Sequence, residues 1–352
     1  MLCEIGAFRD VLDFHGCNIS LPMAFGVSGS LGFAYANGKS KRPLAPDMAV
    51  RYPVVMPFTP NPLWNAGRIA NMHRRSGRCA DSRGLLETIR FAIDDGNPVL
   101  VEVERVAWFS LTKMPFMSRD DAGETRRIGG HVVAVFGYDT DRETFIIMEI
   151  MLNRAIEVDI DAFLAACDIH DGDFPPENEW SVLYPPLQFP SIEEMALSGL
   201  ELSERWMNQP LVLDDGLLFG RDGFVPFARN FLADLDACSQ EIRRRALLVS
   251  LNFAELMGPK SGFLRSYFTE FLEEAAPYLP PKAAHDTRDA YQEARKQWLR
   301  FVESTLSILR TGGEKGRDPE RHAEFREILE GIASAELEAA DRLAALLQEM
   351  GK

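Results

Sequence analysis

The sequence lacks any apolar run that approaches the roughly 20 residues of a membrane-spanning helix, so we expect no membrane span. Its amino terminus reads MLCEIGAFRDVLDFHG. This segment carries acidic residues and lacks the basic start, apolar stretch and small-residue cleavage site of a secretory signal. Together these absences predict a cytoplasmic protein.

Paired cysteines and an excess of basic residues are also absent. The five cysteines are odd in number and none forms a C-x-x-C pair, so we predict neither a disulfide framework nor a zinc site. Lys and Arg total 38 against 53 Asp and Glu, which gives a net charge of −15 at pH 7. A chain with this balance does not offer the broad basic surface that binds nucleic acid.

Several common catalytic signatures are missing too. The chain contains neither H-E-x-x-H nor G-x-S-x-G, and it has no Walker loop and no dinucleotide fingerprint. These motifs mark zinc proteases, serine hydrolases and nucleotide-binding enzymes. We therefore expect neither a bound metal nor another resident cofactor.

The residues that are present predict a compact protein of two domains. Hydrophobic residues make up 46% and charged residues 26% of the 352 residues, a balance typical of globular proteins. Apolar spacing predicts a helix over residues 3–16 and another over 84–95, and the glycine-rich segment 18–38 predicts a loop with tight turns. Three β-rich runs predict antiparallel strands. They cover residues 98–104, 131–139 and 144–150.

A proline-rich segment, residues 174–186, indicates the exit from the first domain. Beyond it, amphipathic patterns predict helices. They cover residues 191–208, 224–257, 262–278, 284–311 and 318–349. We therefore predict an α+β domain over residues 1–186 and an all-helical domain over 187–352. The Ala- and Leu-rich last helix is typical of a bundle helix within the chain, and the alternative is a homodimer interface.

Cys3, His131 and Glu149 are the candidate catalytic residues. Cys3 stands at the start of the first predicted helix, where the helix dipole favours a thiolate. His131 opens a predicted strand directly after two glycines, and Glu149 ends the next strand. Adjacent antiparallel strands would bring the carboxylate beside the imidazole, and the imidazole would activate the thiol. The alternative is a buried, unreactive thiol and a histidine that only caps a strand.

Four motifs in order carry a family resemblance. They read CEIGAFRDVLDFHG, FGVSGSLGFAY, GNPVLVEVE and GGHVVAVFGYD. Over about residues 1–185 the chain resembles the N-terminal domain of the butirosin biosynthesis protein H family. Its C-terminal part is similar to the helical domain of unknown function that follows in these proteins. The resemblance implies a papain-like, cysteine-protease-type fold for the first domain and acyl transfer as its chemistry.

The resemblance also implies a role for each candidate residue. Cys3 would carry the acyl group as a thioester, His131 would act as base and then as acid, and Glu149 would orient His131. The family commonly has Asp in the orienting role, so Asp139 or Asn153 are alternatives to Glu149. No cofactor is implied, because phosphopantetheine arrives on the carrier protein that donates the acyl group.

The oxyanion donors and a substrate-binding residue complete the predicted site. Papain-like enzymes commonly use a Gln several residues before the nucleophile, and only two residues precede Cys3 here. We expect one donor to be the backbone N–H of Cys3 or Glu4 and a second to come from the Gly26–Gly32 loop, whose Ser28 and Gly29 would contact the substrate. Arg265 would bind a substrate carboxylate or the phosphopantetheine phosphate, and its alternative role is a structural ion pair.

The sequence thus predicts a cysteine-dependent acyltransferase or cyclase. It would take an acyl or aminoacyl group from a carrier-protein thioester and form an amide in natural-product biosynthesis. The predicted partners are an acyl or peptidyl carrier protein and a small amine. Because carrier proteins are acidic, docking would use a local basic patch: either Arg74, Arg75 and Arg78, or residues 243–245. The alternatives are a cysteine hydrolase, peptidase or thioesterase, and a non-catalytic scaffold that binds carrier protein.

Overall fold

Helices and strands alternate in the first half of the chain, and helices dominate the second half. The computed structural model describes residues 2–38, 52–57, 59, 61–113, 130–150, 152, 154–170, 175–209, 217–254, 261–310 and 319–352. The helices are α1 (Leu2–Phe14), α2 (Leu21–Val27), α3 (Pro62–Ile69), α4 (Ser82–Asp94), α5 (Arg105–Leu111), α6 (Ile160–Cys167), α7 (Ile192–Asn208), α8 (Gly220–Asp236), α9 (Gln240–Ala254), α10 (Arg265–Ala275), α11 (Pro281–Arg310) and α12 (Pro319–Glu349). The strands are β1 (Ala34–Asn37), β2 (Pro53–Met56), β3 (His73–Arg78), β4 (Val99–Glu104), β5 (Gly130–Asp139), β6 (Thr144–Glu149), β7 (Arg154–Asp159), β8 (Glu179–Tyr184) and β9 (Leu217–Phe219).

The chain folds into two compact units. The first contains residues 1–24 and 63–190, and the second contains residues 25–62 and 191–352. The predicted division at residue 186 placed residues 25–62 in the first domain. The described residues of this segment group with the helical part, because β1 pairs with both β2 and β9.

A six-stranded sheet forms the centre of the first unit. Its strand order is β3-β8-β4-β5-β6-β7, and every neighbouring pair is antiparallel. The three predicted strands are its neighbours β4, β5 and β6. Alternate residues of β4, namely Val99, Val101 and Val103, enter the apolar core that α4, α5 and α6 also line. The predicted first helix, α1, packs against β5 and β6.

The sequence analysis did not predict strands β3, β7 and β8. Strand β3 has the polar sequence HRRSGR and pairs with β8 along its whole length, from His73 to Arg78. It lies at the edge of the sheet, where one side of the strand has no neighbour and polar side chains remain in water. A hydrophobic pattern therefore cannot reveal this strand.

The second unit is helical around a small sheet, with strand order β2-β1-β9. The prediction of a loop over residues 18–38 is wrong in part, because α2 and β1 lie within this segment. Gly26 tolerates no side chain, since a methyl group there would overlap the ring of Phe271. The glycines of this segment thus serve close packing between elements as well as turns.

The predicted helices of the second unit are present with two changes. The pattern over residues 224–257 forms two helices, α8 and α9, and a 3₁₀ turn at Ala276–Tyr278 follows α10. The last helix, α12, packs along α11 and α8 within the chain, and a homodimer interface stays a prediction. None of the helices in the described ranges is long and apolar enough to cross a membrane. The architecture as a whole is a mixed α and β fold.

Candidate active site

Helix α1 places Cys3 in its first turn, at the positive end of the helix dipole. The buried side chains of Leu2, Ile5 and Phe8 fix the helix on the sheet. The side chain of Cys3 itself is partly exposed. The helix start therefore holds the thiol where negative charge is favoured.

Cys3 and His131 form a hydrogen-bonded pair. Burial alone raises the pKa of the Cys3 thiol, but the positive amino terminus, the hydrogen bond with His131 and its charge lower that pKa to about 6. Burial likewise opposes the charge of His131, yet hydrogen bonds with Cys3 and Glu149 and their negative charges raise its pKa to about 9. At neutral pH the pair is therefore a thiolate and an imidazolium.

Three other cysteines differ from Cys3 in the direction in which the pKa of the thiol is shifted. Burial raises the pKa of the thiols of Cys17, Cys167 and Cys238 above the ordinary value. A raised pKa leaves these side chains as thiols at neutral pH, which are poor nucleophiles. The lowered pKa of Cys3 thus comes from the positive amino terminus and from His131 beside it.

Glu149 contacts the second ring nitrogen of the His131 imidazole. Strands β5 and β6 are paired, and Nε2 of His131 lies 3.1 Å from Oε2 of Glu149. His131 is 5% exposed and Glu149 is fully buried. Because Nε2 contacts Glu149, Nδ1 is the ring nitrogen that remains for Cys3. The expected contact between imidazole and carboxylate is present in this geometry.

Trp108 fixes the carboxylate of Glu149. Its indole Nε1 donates a 2.7 Å hydrogen bond to Oε2, the same oxygen that contacts His131. Trp108 also lies over the imidazole, with ring centroids 6.4 Å apart and an interplanar angle of 28°. An indole N–H can only donate, so Oε2 is an acceptor and holds a proton on Nε2 of His131. Nδ1 is then free to exchange a proton with the Cys3 sulfur.

Glu104 positions Trp108 through helix α5. Its carboxylate accepts hydrogen bonds from the backbone N–H of Val106 at 3.1 Å and of Ala107 at 2.7 Å. This is an N-terminal cap, which stabilises the first turn of a helix. A series of contacts therefore runs from the Glu104 cap through the Trp108 indole and the Glu149 carboxylate to the His131 imidazole, and it ends at Cys3.

Ser28 and Gly29 lie in the second unit, so the structure does not join them to Cys3 within one compact body. The Ser28 hydroxyl donates to the carbonyl of Phe25 at 2.8 Å and lies 2.6 Å from the Ser30 hydroxyl. Gly29 has a φ of +59° and packs against Leu202. Their part in an oxyanion hole stays a prediction, as does that of the Cys3 and Glu4 N–H groups in the first turn of α1.

Arg265 is also in the second unit, at the start of α10, and is fully buried. Its Nε donates to Oε1 of Glu336 at 2.8 Å, and its Nη1 donates to the carbonyls of Gly32 and Phe263. This is the structural ion pair considered as the alternative role. A contact with substrate stays a prediction.

The two alternatives to Glu149 have different positions. Asp139 lies at the far end of β5, where its carboxylate accepts hydrogen bonds from the backbone N–H of Asp141 and Arg142. Asn153 lies outside the described residues. Among the described acidic residues, Glu149 is the one that contacts His131 by a hydrogen bond.

The described residues contain no group of three or more His, Cys, Asp or Glu side chains that could hold a metal ion.

A family model described as butirosin biosynthesis protein H, N-terminal, matches residues 2–149. The match confirms the family resemblance of the N-terminal part, and it includes Cys3, His131 and Glu149. No curated protein matches the chain.

Sequence reasoning missed Trp108 and Glu104. A tryptophan in an apolar segment predicts only a core residue, and nothing in its spacing shows where its N–H points. Glu104 gave no signal either, because the residues that usually cap the start of a helix are Ser, Thr, Asp and Asn, and the short helix α5 was not predicted.

Proposed function

We propose that the chain is a cysteine-dependent acyltransferase that moves an acyl or aminoacyl group from a thioester to an amine. The observation that carries the proposal is the contact series from Cys3 through His131 to Glu149, in which the thiol has a lowered pKa and the imidazole a raised one. A thiolate at neutral pH is the nucleophile that thioester exchange needs.

In the first step, the Cys3 thiolate attacks the carbonyl carbon of the donor thioester. A bond forms between this carbon and the Cys3 sulfur, and the bond to the donor sulfur breaks. The departing sulfur takes a proton from His131, so that a neutral imidazole and an acyl-enzyme remain. Glu149 keeps the second ring proton on Nε2 through its 3.1 Å contact.

In the second step, an amine nitrogen attacks the acyl-enzyme carbonyl. The new C–N bond forms, the bond between carbon and the Cys3 sulfur breaks, and His131 takes a proton from the nitrogen. The products are an amide and the original pair of thiolate and imidazolium. An intramolecular amine would give a cyclic product by the same step.

Family and fold support this reading. A family model described as butirosin biosynthesis protein H, N-terminal, covers all three residues, and the resemblance to this family implies acyl groups activated as thioesters. The cysteine stands in the first turn of a helix, and an antiparallel sheet carries the histidine and the carboxylate. This arrangement fits a papain-like fold. We propose that fold and natural-product biosynthesis as the setting.

The proposed donor is an acyl or peptidyl carrier protein, whose phosphopantetheine belongs to the substrate. Such proteins are acidic, so docking needs local basic residues. Strand β3 in the first unit offers exposed Arg75, which lies over the ring of Trp180, and Arg78. Arg78 is paired with Glu177 and Glu179, so Arg75 is the better candidate for contact with a carrier.

The test is a product analysis with an aminoacyl pantetheine thioester and ethanolamine. We expect the amide to form with the intact chain and to be lost in Cys3→Ala. The matched control is Cys17→Ala, because Cys17 is a partly exposed thiol of the same unit. Amide formation by Cys3→Ala would overturn the proposal, and free acid as the sole product would identify a hydrolase.

A further inference from the structure

Glu102 is a carboxyl group near Cys3 that the proposed mechanism does not yet use. Strand β4, Val99–Glu104, carries two glutamates, and Glu102 is the one between two core valines and is partly exposed. Val101 and Val103 on either side of it enter the apolar core. Because side chains alternate along a strand, Glu102 points to the opposite face, where it interacts electrostatically with Cys3 and Glu4 of α1.

Gly130 makes the space for this carboxyl group. Strands β4 and β5 pair Glu104 with Gly130 and Glu102 with Val132. Glu102 and Gly130 are therefore diagonal neighbours on one face of the sheet. A methyl group at position 130 would overlap the carboxyl oxygen Oε1 of Glu102. The carboxyl group thus lies against the residue that directly precedes His131.

The described residues offer Glu102 no hydrogen bond and no ion pair. A partly buried carboxyl group without a hydrogen-bond partner is unfavourable to folding even when it is neutral, so packing alone does not account for its position. Its charged neighbours are Cys3, Glu4 and Glu179, all acidic groups, and the amino terminus. Three negative groups against one positive group leave a local excess of negative charge around Glu102, which attracts a cation.

The same neighbours determine whether the Glu102 carboxyl group is protonated. Burial first, and then the negative charges of Glu179, Glu4 and Cys3, raise the pKa of Glu102 to about 8. In the free enzyme at neutral pH the group is therefore mainly protonated. When Cys3 becomes a thioester it loses its negative charge, and the pKa of Glu102 falls. A larger share of Glu102 is then ionised at the stage when the amine must bind, and the proton that it loses passes to solvent.

We propose that Glu102 binds the protonated amino group of the acceptor and removes its proton before the nitrogen attacks the Cys3 thioester. This inference rests on the proposed function and adds a residue that selects amines over water. An ammonium ion has no lone pair, so it cannot attack a carbonyl until a base has removed one proton.

The protons balance over the cycle. The Glu102 carboxylate takes one proton from the ammonium ion and becomes neutral. The free amine attacks, the carbon–sulfur bond breaks, and His131 takes the second proton from the nitrogen. The amide leaves behind the Cys3 thiolate, the His131 imidazolium and a protonated Glu102, which is the state that the free enzyme has at neutral pH.

The test compares two nucleophiles on the preformed acyl-enzyme. Ethanolamine is mainly protonated at neutral pH, whereas hydroxylamine is mainly uncharged. Mass spectrometry follows the discharge of the acyl group from wild-type chain, Glu102→Gln and Glu102→Asp. Glu157→Gln is the control, because it removes an exposed carboxylate of β7 that pairs with Arg142.

We expect Glu102→Gln to form the acyl-enzyme normally and to discharge it to ethanolamine roughly 10²-fold more slowly, the scale of one acid–base group. Discharge to hydroxylamine and to water should change little, and Glu102→Asp should keep part of the rate with ethanolamine. Equal losses with both amines, or no loss with ethanolamine, would overturn the inference. A wild-type chain that forms no acyl-enzyme would instead overturn the proposed function.

Discussion

The indole of Trp108 and the carboxylate of Glu149 meet in a 2.7 Å hydrogen bond inside the first unit. The oxygen that accepts it is also 3.1 Å from Nε2 of His131. Two rigid donors thus converge on one buried oxygen, and Glu149 cannot turn away from the imidazole without losing both. Burial opposes the charge of His131, but the hydrogen bond with Cys3, the hydrogen bond with Glu149 and the negative charges of both raise its pKa.

The first prediction concerns Glu149→Gln. The substitution keeps the size of the side chain and removes its charge, so the pKa of His131 should fall from about 9 toward its ordinary value. Less imidazolium leaves less thiolate, and we expect Cys3 acylation at neutral pH to slow by roughly 10²-fold. Stopped-flow measurement of acylation checks this. The matched substitution Asp139→Gln should leave the rate unchanged, and an equal effect of both would contradict Glu149 as the orienting residue.

The second prediction concerns the helix cap that positions Trp108. Glu104→Ala removes the two acceptors of the α5 cap, and Asp81→Ala removes the cap of α4, which accepts from the N–H of Gly84. Each should lower the free energy of unfolding by about 1 kcal/mol in denaturant titrations. Only Glu104→Ala should also slow alkylation of Cys3, since α5 carries Trp108. If both variants slowed it equally, the effect would be general destabilisation.

The third prediction is a pH profile. The acylation rate should rise as Cys3 ionises at a pKa of about 6 and fall as His131 loses its proton at a pKa of about 9. These two values belong to the coupled pair. His131→Gln removes the hydrogen bond and the positive charge that favour the thiolate, so the lower limb should move to higher pH. Iodoacetamide kinetics of Cys3 measure that limb, and a limb unmoved by His131→Gln would contradict the pairing.

The fourth prediction separates two roles of Arg265. Arg265→Met leaves the Glu336 carboxylate buried without its cation, which should lower the free energy of unfolding by roughly 3–5 kcal/mol. The double variant Arg265→Met/Glu336→Leu should recover much of this loss, because both charges are then removed. Unchanged stability of Arg265→Met together with a raised KM for the thioester would support the substrate-binding role instead.

Strands β4, β5 and β6 could be predicted because buried strands have apolar runs that a sequence displays directly. Cys3, His131 and Glu149 could be named because each stands at the start or end of a predicted element. Strand β3 could not be predicted, since its residues are polar and it is stabilised by pairing with β8. Trp108 and Glu102 also escaped prediction, because their roles depend on which face of a strand or helix meets α1 or β6.

The most direct test of the central claim is intact-protein mass spectrometry after incubation with an acyl pantetheine thioester. If Cys3 is the nucleophile, we expect one acyl adduct that is absent in Cys3→Ala, present in Cys17→Ala and Cys238→Ala, and discharged by an added amine. An adduct that persists in Cys3→Ala, or no adduct on the wild-type chain with any thioester or its carrier-protein form, would contradict Cys3 as the nucleophile.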